Sequence, residues 1–509
     1  MHSMSPRVNL ADTVLRRAQL NPERTALVFE GSEQTFGEFA SLVRKQATLL
    51  RDSGVCCGDR VGFVGFNQPA FLQTLFAANA IGAIFVPLNF RLTGNELTFI
   101  INDAGIHSLI ADDALQSVVE KVRDQLCCQN LFNSEGIFEN WRALKTECDA
   151  AEELAETVLV QNDDVALIMY TSGTTGLPKG AMLTHGNIMW NNINAQYTFS
   201  GSRDNVNLVV APLFHIGGLN ILTLQSFALG SKLVLMRSFD PKAVLAAITG
   251  YKVTHMFGAP AMFLFMSQHE DFETTDLSHV EMFICGAAPP PESLLTLYDE
   301  LGVDFCQGYG LTETAPFASF LTPEWSLKKL GSAGQPPIFS ELRIVDKDNQ
   351  VLAADERGEI CIKGPNIMKG YWNRPVASAE AIDTQGWFHS GDIGYLDEDG
   401  FLFICDRLKD MVISGGENVY PAEVESVLFK HPAISEVAVI GLDDEKWGEA
   451  VTAIAALKEG ASLTLEELRE FSTQHLAKYK IPLRLHIVAE LPRNPAGKVL
   501  KYVLKEQLS

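Results

Sequence analysis

Residues 170–180 read Tyr170-Thr-Ser-Gly-Thr-Thr-Gly-Leu-Pro-Lys-Gly180, a stretch with five hydroxyl side chains, three glycines and one lysine. It follows the apolar run Val165-Ala-Leu-Ile-Met169, which predicts a buried strand. Glycines let backbone N–H groups approach oxygen atoms closely, hydroxyls donate further hydrogen bonds, and Lys179 adds positive charge. The stretch therefore predicts a phosphate-binding loop after a strand. It is not a Walker A loop, because the glycine spacing differs and no Ser or Thr follows Lys179.

Size and charge narrow the classes of protein to consider. The chain has 509 residues, a formal net charge of −23, 47% hydrophobic residues and 20% charged residues. This length exceeds one ordinary core and predicts two or more globular domains. The negative charge argues against non-specific nucleic-acid binding and against an electrostatic anchor on an anionic membrane. A nucleotide needs only a local cradle and stays compatible with this charge.

Targeting and membrane signals are missing from the sequence. The first seven residues lack a basic stretch followed by an apolar run, so no secretory signal is expected. Residues 70–90 are apolar but interrupted by polar residues and Pro87, which predicts a buried helix followed by a strand. The nine cysteines include the pairs Cys56-Cys57 and Cys127-Cys128 without any CxxC spacing, which predicts reduced thiols in a cytoplasmic protein.

Helix-like and strand-like segments alternate up to about residue 330. Examples are the predicted helices 243–251 and 293–301 and the predicted strands 253–257 and 303–307. Such alternation predicts parallel βαβ units. The fold class is therefore α/β, with two βαβ-type subdomains inside a large N-terminal domain.

The pattern changes twice toward the C-terminus. Short predicted strands at 342–345, 359–363, 393–396 and 401–404 indicate a small antiparallel β subdomain, and residues 397–400 predict its hairpin turn. After the charged segment 406–410, predicted helices at 421–430 and 465–476 and strands at 437–440 and 452–457 indicate a small α+β domain. The predicted domains are residues 1–406 and 407–509.

Further segments carry groups suited to nucleotide chemistry. They read Ala211-Pro-Leu-Phe-His-Ile-Gly-Gly218, Cys285-Gly-Ala-Ala-Pro-Pro290, Gln307-Gly-Tyr-Gly-Leu-Thr-Glu-Thr314, Trp387-Phe-His-Ser-Gly-Asp-Ile-Gly394, Ser414-Gly-Gly-Glu-Asn-Val-Tyr-Pro421 and Pro492-Arg-Asn-Pro-Ala-Gly-Lys498. Together with residues 170–180 they resemble, in the same order, the motifs of the adenylate-forming superfamily. Among its members the chain most resembles bacterial fatty-acyl-CoA synthetases, and the resemblance runs from about residue 165 to the end.

The resemblance implies a nucleotide site that binds ATP with Mg²⁺. The residues implied for ATP and AMP are Thr171, Ser172, Gly173, Thr174, Thr175, Gly176, Lys179, Gly286, Ala287, Ala288, Gln307, Gly308, Tyr309, Gly310, Thr312, Asp392, Ile404, Arg407 and Lys498. Tyr309 would border the adenine, Thr312 would bond the α-phosphate, and Asp392 would accept bonds from the ribose hydroxyls. Glu313 would hold Mg²⁺ together with Thr171, since this cation prefers oxygen ligands.

The same resemblance implies catalytic, hinge and acyl-binding residues. The implied catalytic residues are Lys498, Thr312, Glu313 and His215. Lys498 would reach the substrate carboxylate and the α-phosphate, and Lys409 would be the hinge of a mobile C-terminal domain. The implied residues for coenzyme A are Ser414, Gly415 and Gly416. The implied acyl-pocket residues are His215, Ile216, Gly217, Gly258 and Pro316, with Gly286 and Gly308 as further candidates.

The acid can be described only coarsely. No acidic residue lies between Val206 and Phe239, so a substrate ammonium would lack a partner there. No arginine lies between Asn205 and Arg237, which disfavours a second carboxylate. We expect an apolar monocarboxylic acid, with a medium to long fatty acid favoured by the glycines around the pocket and an aromatic acid as the alternative. The apolar run 262–266 fits a core helix better than a pocket wall.

The predicted activity is that of an AMP-forming acyl-CoA ligase with a small carboxylic acid and coenzyme A as its partners. Three alternatives stay open: an acyl-AMP ligase that loads a separate carrier protein, a luciferase-like oxygenase, and a non-catalytic acyl or nucleotide sensor. No nucleic-acid partner and no integral membrane segment are expected. The sequence leaves open a monomer or a homodimer, and transient contact with a membrane.

Overall fold

A computed structural model of the chain describes residues 9–136, 138–171, 177–408, 410–414, 417–444, 447–473, 475–493 and 499–508. These residues form two units. The first comprises the described residues up to Leu342 together with Ile362–His389, and the second comprises Arg343–Cys361 and the described residues from Ser390. Residues 343–361 and 390–406 thus cluster with the C-terminal region. The domain boundary at residue 406 stays a prediction.

The strands are numbered in chain order. They are β1 Thr25–Phe29, β2 Ser32–Thr35, β3 Arg60–Val64, β4 Ile84–Leu88, β5 Ile106–Ala111, β6 Asn130–Asn133, β7 Arg142–Ala143, β8 Val165–Thr171, β9 Lys179–Thr184, β10 Val206–Val209, β11 Lys232–Leu235, β12 His255–Gly258, β13 Met282–Cys285, β14 Asp304–Gly310, β15 Phe317–Leu321, β16 Glu341–Val345, β17 Gly358–Lys363, β18 Gly370–Tyr371, β19 Phe388–Leu396, β20 Leu402–Arg407, β21 Val412–Ser414, β22 Glu417–Val419, β23 Ile434–Asp444, β24 Gly448–Leu457 and β25 Arg484–Val488.

The helices are α1 Leu10–Leu20, α2 Phe36–Asp52, α3 Pro69–Ala80, α4 Gly94–Ala104, α5 Asp113–Glu120, α6 Leu144–Ala150, α7 His185–Phe199, α8 Ile216–Gly218, α9 Leu224–Leu229, α10 Pro241–Tyr251, α11 Pro260–Ser267, α12 Glu292–Glu300, α13 Pro323–Ser326, α14 Pro375–Ala381, α15 Pro421–Leu428, α16 Leu465–Thr473 and α17 Lys501–Leu508. Capping boxes begin α2, α4 and α7, where a threonine side chain and the residue three positions later satisfy each other's backbone N–H groups.

Two eight-stranded sheets organise the first unit. The first has the order β15-β14-β13-β12-β10-β11-β1-β2, and the second has the order β18-β9-β8-β4-β3-β5-β6-β7. Neighbours from β14 to β1 are parallel in the first sheet, whereas β15 and β2 are antiparallel edge strands. In the second sheet β8 to β7 are parallel, while β9 and β18 are antiparallel. The two predicted βαβ-type subdomains are confirmed.

Two smaller sheets lie mostly or wholly in the second unit. One has the order β16-β17-β19-β20, and its β19–β20 hairpin is antiparallel across Asp397 and Gly400, as predicted. The other has the order β22-β21-β24-β23 with β25 beside β24. Residues of α15, β24 and α16, among them Val424, Val451 and Leu468, share its buried core. The predicted sheets and helices of the β subdomain and of the α+β unit are therefore confirmed.

The expectation for the apolar stretch 70–90 is met. Residues 70–90 form α3 followed by β4, and both are largely buried. In the part of the chain that the structure describes, no helix has the length and hydropathy needed to cross a membrane. All nine cysteines are free thiols.

Candidate active site

The carboxyl ends of four parallel strands bring the predicted adenine and acyl segments together. Strands β10, β12, β13 and β14 end at one edge of the first sheet, where Val209 pairs with Phe257, Gly258 with Cys285, and Cys285 with Gln307. Residues 211–218, 286–288 and 307–310 follow or end these strands. Ligands of open α/β sheets bind outside such strand ends. This edge of the sheet is the candidate site.

The adenine candidates offer a flat surface at this edge. Gly286 is buried, and its N–H donates to the Gly258 carbonyl at 3.2 Å, while Ala287 and Ala288 are exposed. Ala287 has a φ of 72°, a left-handed conformation that an alanine seldom adopts. Small side chains here leave the backbone open to a planar ring.

The phosphate-loop candidates begin and end a hairpin. Thr171 ends β8 and pairs with Lys179 at the start of β9, and the Thr171 hydroxyl lies 3.5 Å from the Lys179 carbonyl oxygen. The Tyr170 hydroxyl donates to Asp103 Oδ2 at 2.7 Å, and Arg374 donates to the same carboxylate at 2.6 Å. Burial, reinforced by Asp103, raises the pKa of Tyr170, so its hydroxyl stays a donor. Ser172, Gly173, Thr174, Thr175 and Gly176 lie outside the described residues.

Glu313 is a buried carboxylate on the turn that follows β14. It lies in the short helix Thr312–Thr314 and is 8% exposed. Its Oε1 accepts a hydrogen bond from the Tyr371 hydroxyl at 2.8 Å, and its carbonyl accepts one from the Met368 N–H at 2.8 Å. A carboxylate is the ligand type that Mg²⁺ prefers, so the donor group at this position fits a magnesium ion.

Three fully buried asparagines hold the chain that follows Glu313. Asn366 donates from Nδ2 to the carbonyl oxygens of Thr314 and Phe317, at 2.6 and 2.8 Å. Asn220 donates to the carbonyl after Thr314 at 2.6 Å, and Asn191 accepts from the Phe317 N–H at 3.1 Å. Buried backbone groups require such partners. The turn is therefore fixed by side chains that come from three distant segments.

His215 stands at the start of α8. Part of the residue is exposed to solvent, yet the protein that surrounds its ring desolvates it, and the charge of Arg91 adds to this effect. Both lower the pKa of His215 to about 4, so the imidazole is neutral at physiological pH. The Arg91 guanidinium lies 4.9 Å from the Phe90 ring and 5.9 Å from the Phe214 ring. A neutral imidazole beside a fixed cation can meet a carboxylate without a proton transfer.

The space near the acyl-pocket glycines is partly filled by Phe257. A Cβ on Gly217 would lie 2.9 Å from the Phe257 ring, and a Cβ on Gly286 would lie 3.0 Å from it. These glycines therefore make room for a ring of the protein itself. They do not count as evidence for a long acyl tail. A gap too narrow to admit water is lined by Leu208, Val209, Ala211, Gly217, Gly218, Leu222 and Phe257.

The apolar helix α11 contributes mainly to the core. Phe263 and Met266 are fully buried, whereas Leu264 and Phe265 are exposed. Both Phe263 and Met262 approach the candidate pocket, with the Phe263 ring 3.1 Å and the Met262 sulfur 3.3 Å from the position of a Cβ on Gly258. The expectation of a core helix holds for the buried face.

The ribose candidates belong to the second unit. Asp392 is 4% exposed on β19, and its N–H donates to the Ser390 hydroxyl at 3.0 Å. Its register partner on β20 is Arg407, and Ile404 on the same strand is 40% exposed. Ser414 is buried at the end of β21. The side chain of Arg407, together with Lys409, Gly415, Gly416 and Lys498, lies outside what the structure describes.

Two residues near the candidate site do not follow from the motifs. Arg91 comes from the loop between β4 and α4, and Tyr371 comes from the short edge strand β18. Tyr371 joins two predicted site residues, because its hydroxyl bonds Glu313 and its ring centroid lies 5.4 Å from Lys179 Nζ. Its only local signal is the Gly370-Tyr371 pair ahead of Pro375, which is too short to predict a strand.

Comparison with known protein families agrees with this architecture. Residues 14–372 match the AMP-binding enzyme family, and residues 423–498 match the AMP-binding enzyme C-terminal domain. The first match alone spans more than half of the chain.

Relatives and solved structures match over nearly the whole length. A feruloyl-CoA synthase of Amycolatopsis sp is 41% identical, covering 96% of each chain. A long-chain-fatty-acid–CoA ligase of Mycobacterium tuberculosis is 37% identical, covering 98% of this chain and 99% of its own. The structure of O-succinylbenzoate coenzyme A synthetase from Bacillus subtilis, in complex with ATP and magnesium ion, has a TM-score of 0.87 and 34% identity, covering 97% of this chain and 98% of its own. The chain therefore belongs to the AMP-binding enzyme family, as an AMP-forming acyl-CoA synthetase of the adenylate-forming superfamily.

Proposed function

We propose that this acid–thiol ligase uses ATP, Mg²⁺ and coenzyme A to convert an apolar monocarboxylic acid into its CoA thioester. The first half-reaction makes an acyl adenylate and releases pyrophosphate. The second transfers the acyl group to the CoA thiol and releases AMP.

One observation carries the proposal: the carboxyl ends of β10, β12, β13 and β14 meet at one edge of the sheet. This edge presents a neutral imidazole, a flat glycine and alanine surface, and a buried carboxylate within one unit. The strand β9, which begins with Lys179, lies against the short helix that contains Glu313. An acid, an adenine ring and a metal-bound triphosphate need these groups side by side.

The main barrier of the first step is the approach of a carboxylate anion to the α-phosphate. Lys179, the Thr312 hydroxyl and Lys498 would offset the negative charge, and His215 would orient the incoming carboxylate. Glu313 and Thr171 would hold Mg²⁺, which when bound would neutralise phosphate charge. Groups preorganised around developing charge usually supply the largest catalytic effect.

The second step needs a thiol at the adenylate carbonyl. The thiol would come from coenzyme A, with Ser414, Gly415 and Gly416 lining its path. In this proposal Lys498 acts in the first step only. A rotation of the C-terminal domain about Lys409 would then move Lys498 away from the acyl adenylate before the second step. One domain used in two arrangements accounts for both a hinge and a second set of contacts.

Two classes of acid are supported about equally. The long-chain-fatty-acid–CoA ligase relative supports a medium to long fatty acid, and the feruloyl-CoA synthase relative supports an aromatic acid. The Phe257 ring fills the space beside Gly217 and Gly286, so these glycines do not add support for a long acyl tail. Loading of a carrier protein in place of coenzyme A stays the further alternative. We also propose a cytoplasmic enzyme that acts as a monomer or homodimer.

The test is release of AMP and pyrophosphate from MgATP across a panel of acids, with and without coenzyme A. The panel runs from acetate to long fatty acids and includes benzoate, cinnamate and ferulate. AMP release that requires both an acid and coenzyme A would support the ligase and rank its substrates. Pyrophosphate exchange without CoA-dependent turnover would favour carrier loading. No response with any acid would contradict the proposal.

A further inference from the structure

Tyr371 contacts two residues of opposite charge in the proposed ATP site, the implied magnesium ligand Glu313 and the implied phosphate ligand Lys179. Its hydroxyl donates to Glu313 Oε1 at 2.8 Å, and the Lys179 ammonium lies over its ring at 5.4 Å from the centroid. A hydroxyl can bond a carboxylate, and a ring face attracts a cation. One side chain therefore touches both an implied magnesium ligand and an implied phosphate ligand.

The backbone around Tyr371 is fixed from both sides. In β18 it pairs with Ala181 of β9, the strand that begins with Lys179. Its N–H donates to the Ser378 hydroxyl at 2.8 Å. The neighbouring Trp372 N–H donates to the Gly180 carbonyl at 2.8 Å.

The same segment is tied to the Glu313 turn and to the strand before the phosphate loop. The Met368 N–H bonds the Glu313 carbonyl at 2.8 Å, so a backbone bond joins this segment to Glu313 in addition to the side-chain bond from Tyr371. Arg374 and Tyr170 share the carboxylate of Asp103. Tyr371 is thus half-buried in a segment with little freedom, which is the condition for orienting another side chain.

Fixing a carboxylate matters for a metal ligand. A ligating carboxylate with a second hydrogen-bond partner keeps its orientation, and loss of such partners typically lowers metal affinity by about 10- to 100-fold. The ring has a separate effect, because it holds the Lys179 ammonium at a defined place. Tyr371 thereby holds the Glu313 carboxylate and the Lys179 ammonium in separate positions.

We propose that Tyr371 is a positioning residue for adenylation, with its hydroxyl orienting Glu313 toward Mg²⁺ and its ring orienting Lys179 toward the triphosphate. This inference rests on the proposed function, since both ligand roles belong to it. It separates into two parts, because Tyr371→Phe removes only the hydroxyl and Tyr371→Leu removes the hydroxyl and the ring face.

The experiment measures binding without turnover. Isothermal titration of α,β-methylene-ATP into the full-length protein, with Mg²⁺ or with EDTA, gives the affinity gained from the metal. We expect Tyr371→Phe to reduce that gain by about 10-fold while leaving the metal-free affinity within about 2-fold. Tyr371→Leu should lose the metal gain and also several-fold of metal-free affinity. Tyr197→Phe, at an exposed tyrosine, is the matched control.

Several results would overturn the inference. An unchanged metal gain in Tyr371→Phe would show that the hydroxyl does not orient the ligand. Equal losses in the phenylalanine and leucine variants with and without metal would show a packing role only, and thermal melting identifies a variant that fails to fold. A wild-type protein with no metal gain would remove the magnesium role of Glu313 and this inference with it. CoA-dependent AMP release by that wild-type protein would still support the proposed function, so the two failures are distinguishable.

Discussion

At the scale of single residues, Phe257 has the clearest consequence for substrate choice. Its ring occupies the space that Gly217 and Gly286 leave open. We expect Phe257→Ala to raise kcat/KM for decanoate relative to ferulate by about 10-fold or more, because each buried methylene contributes about 0.8 kcal/mol. The measurement is the ratio of the two specificity constants.

The neighbouring Phe265 provides a matched control for this change. It is 52% exposed on α11, so Phe265→Ala should leave the ratio unchanged. A similar loss of activity on every acid in Phe257→Ala would contradict a role in chain length and indicate general disruption of the pocket.

Lys498 allows the two half-reactions to be separated. We expect Lys498→Ala to reduce acyl-adenylate formation by about 100-fold or more, because it removes a charge that the proposed mechanism assigns to the reacting phosphate. Thioester formation from supplied acyl adenylate should stay within a few-fold of wild type. Single-turnover assays of each half-reaction measure both effects.

A second lysine from the same end of the sequence serves as the comparison for Lys498. Lys505 on α17 forms an ion pair with Glu449 at 3.0 Å, and Lys505→Ala should change neither half-reaction. If Lys498→Ala slows both half-reactions equally, the assignment of this residue to the first step is contradicted.

Site residues that lie within a sequence motif could be predicted, whereas site residues that distant segments contribute could not. Thr312 and Glu313 lie shortly after the predicted strand 303–307, in a motif that resembles one of the adenylate-forming superfamily, so the sequence could place them at the end of a strand. Tyr371 and Arg91 reach the site through strand pairing between distant segments. Neither register nor strand order is encoded by the residues next to them, so no local pattern could place them.

At the scale of elements, the turn after β14 depends on buried amides. Asn366 is the partner of two carbonyl oxygens, and an unsatisfied buried group costs about 1–3 kcal/mol. We expect Asn366→Ala to lower the free energy of unfolding by about 2–4 kcal/mol and to reduce adenylation further by loosening Glu313. Urea denaturation of the full-length protein measures the first effect.

The comparison for this variant is Asn95→Ala on the exposed side of α4. Substitutions at such positions usually change stability by less than 0.5 kcal/mol in either direction. If Asn366→Ala unfolds at the same urea concentration as Asn95→Ala, the asparagine network does not hold the turn.

Helices were easier to predict than the ends of strands. The helix expected at 243–251 is α10 Pro241–Tyr251, which begins where Asp240 caps its N-terminus. The strand expected at 437–440 is β23 Ile434–Asp444, which is much longer. The prediction rested on the apolar residues at the centre of the strand. The observed pairing with β24 extends further, through polar residues such as Glu436 and Asp443. Backbone pairing continues past the core because it does not require apolar side chains.

At the scale of the whole molecule, the order of strands is the least predictable feature. Strand β1, near the start of the chain, pairs in parallel with β11, and β9 carries the short strand β18 at its outer edge. Alternating helices and strands predict parallel sheets, but this pattern does not determine the position of each strand within a sheet. Packing of buried faces over the complete chain selects one arrangement.

Acid stability is a property of the whole molecule that follows from two buried histidines. Burial lowers the pKa of both His185 and His255 to about 4, and the two residues are 3% and 4% exposed. In the unfolded chain histidine titrates near pH 6.5, so between pH 6.5 and 4 the unfolded state binds protons that the native state does not. Stability therefore falls as pH falls through this window, by up to roughly 3 kcal/mol for each histidine.

A variant isolates this effect from other titrating groups. His185 Nδ1 accepts the Leu10 N–H at 3.1 Å, and His185→Asn should be less stable than wild type at pH 7.5 because that bond is disturbed. The difference should narrow steadily from pH 6.5 to 4.5, since only the wild type has this histidine to protonate on unfolding. Urea unfolding at each pH measures the difference. A gap that stays constant across the window would mean that His185 is protonated in the native protein, and would contradict the buried neutral ring.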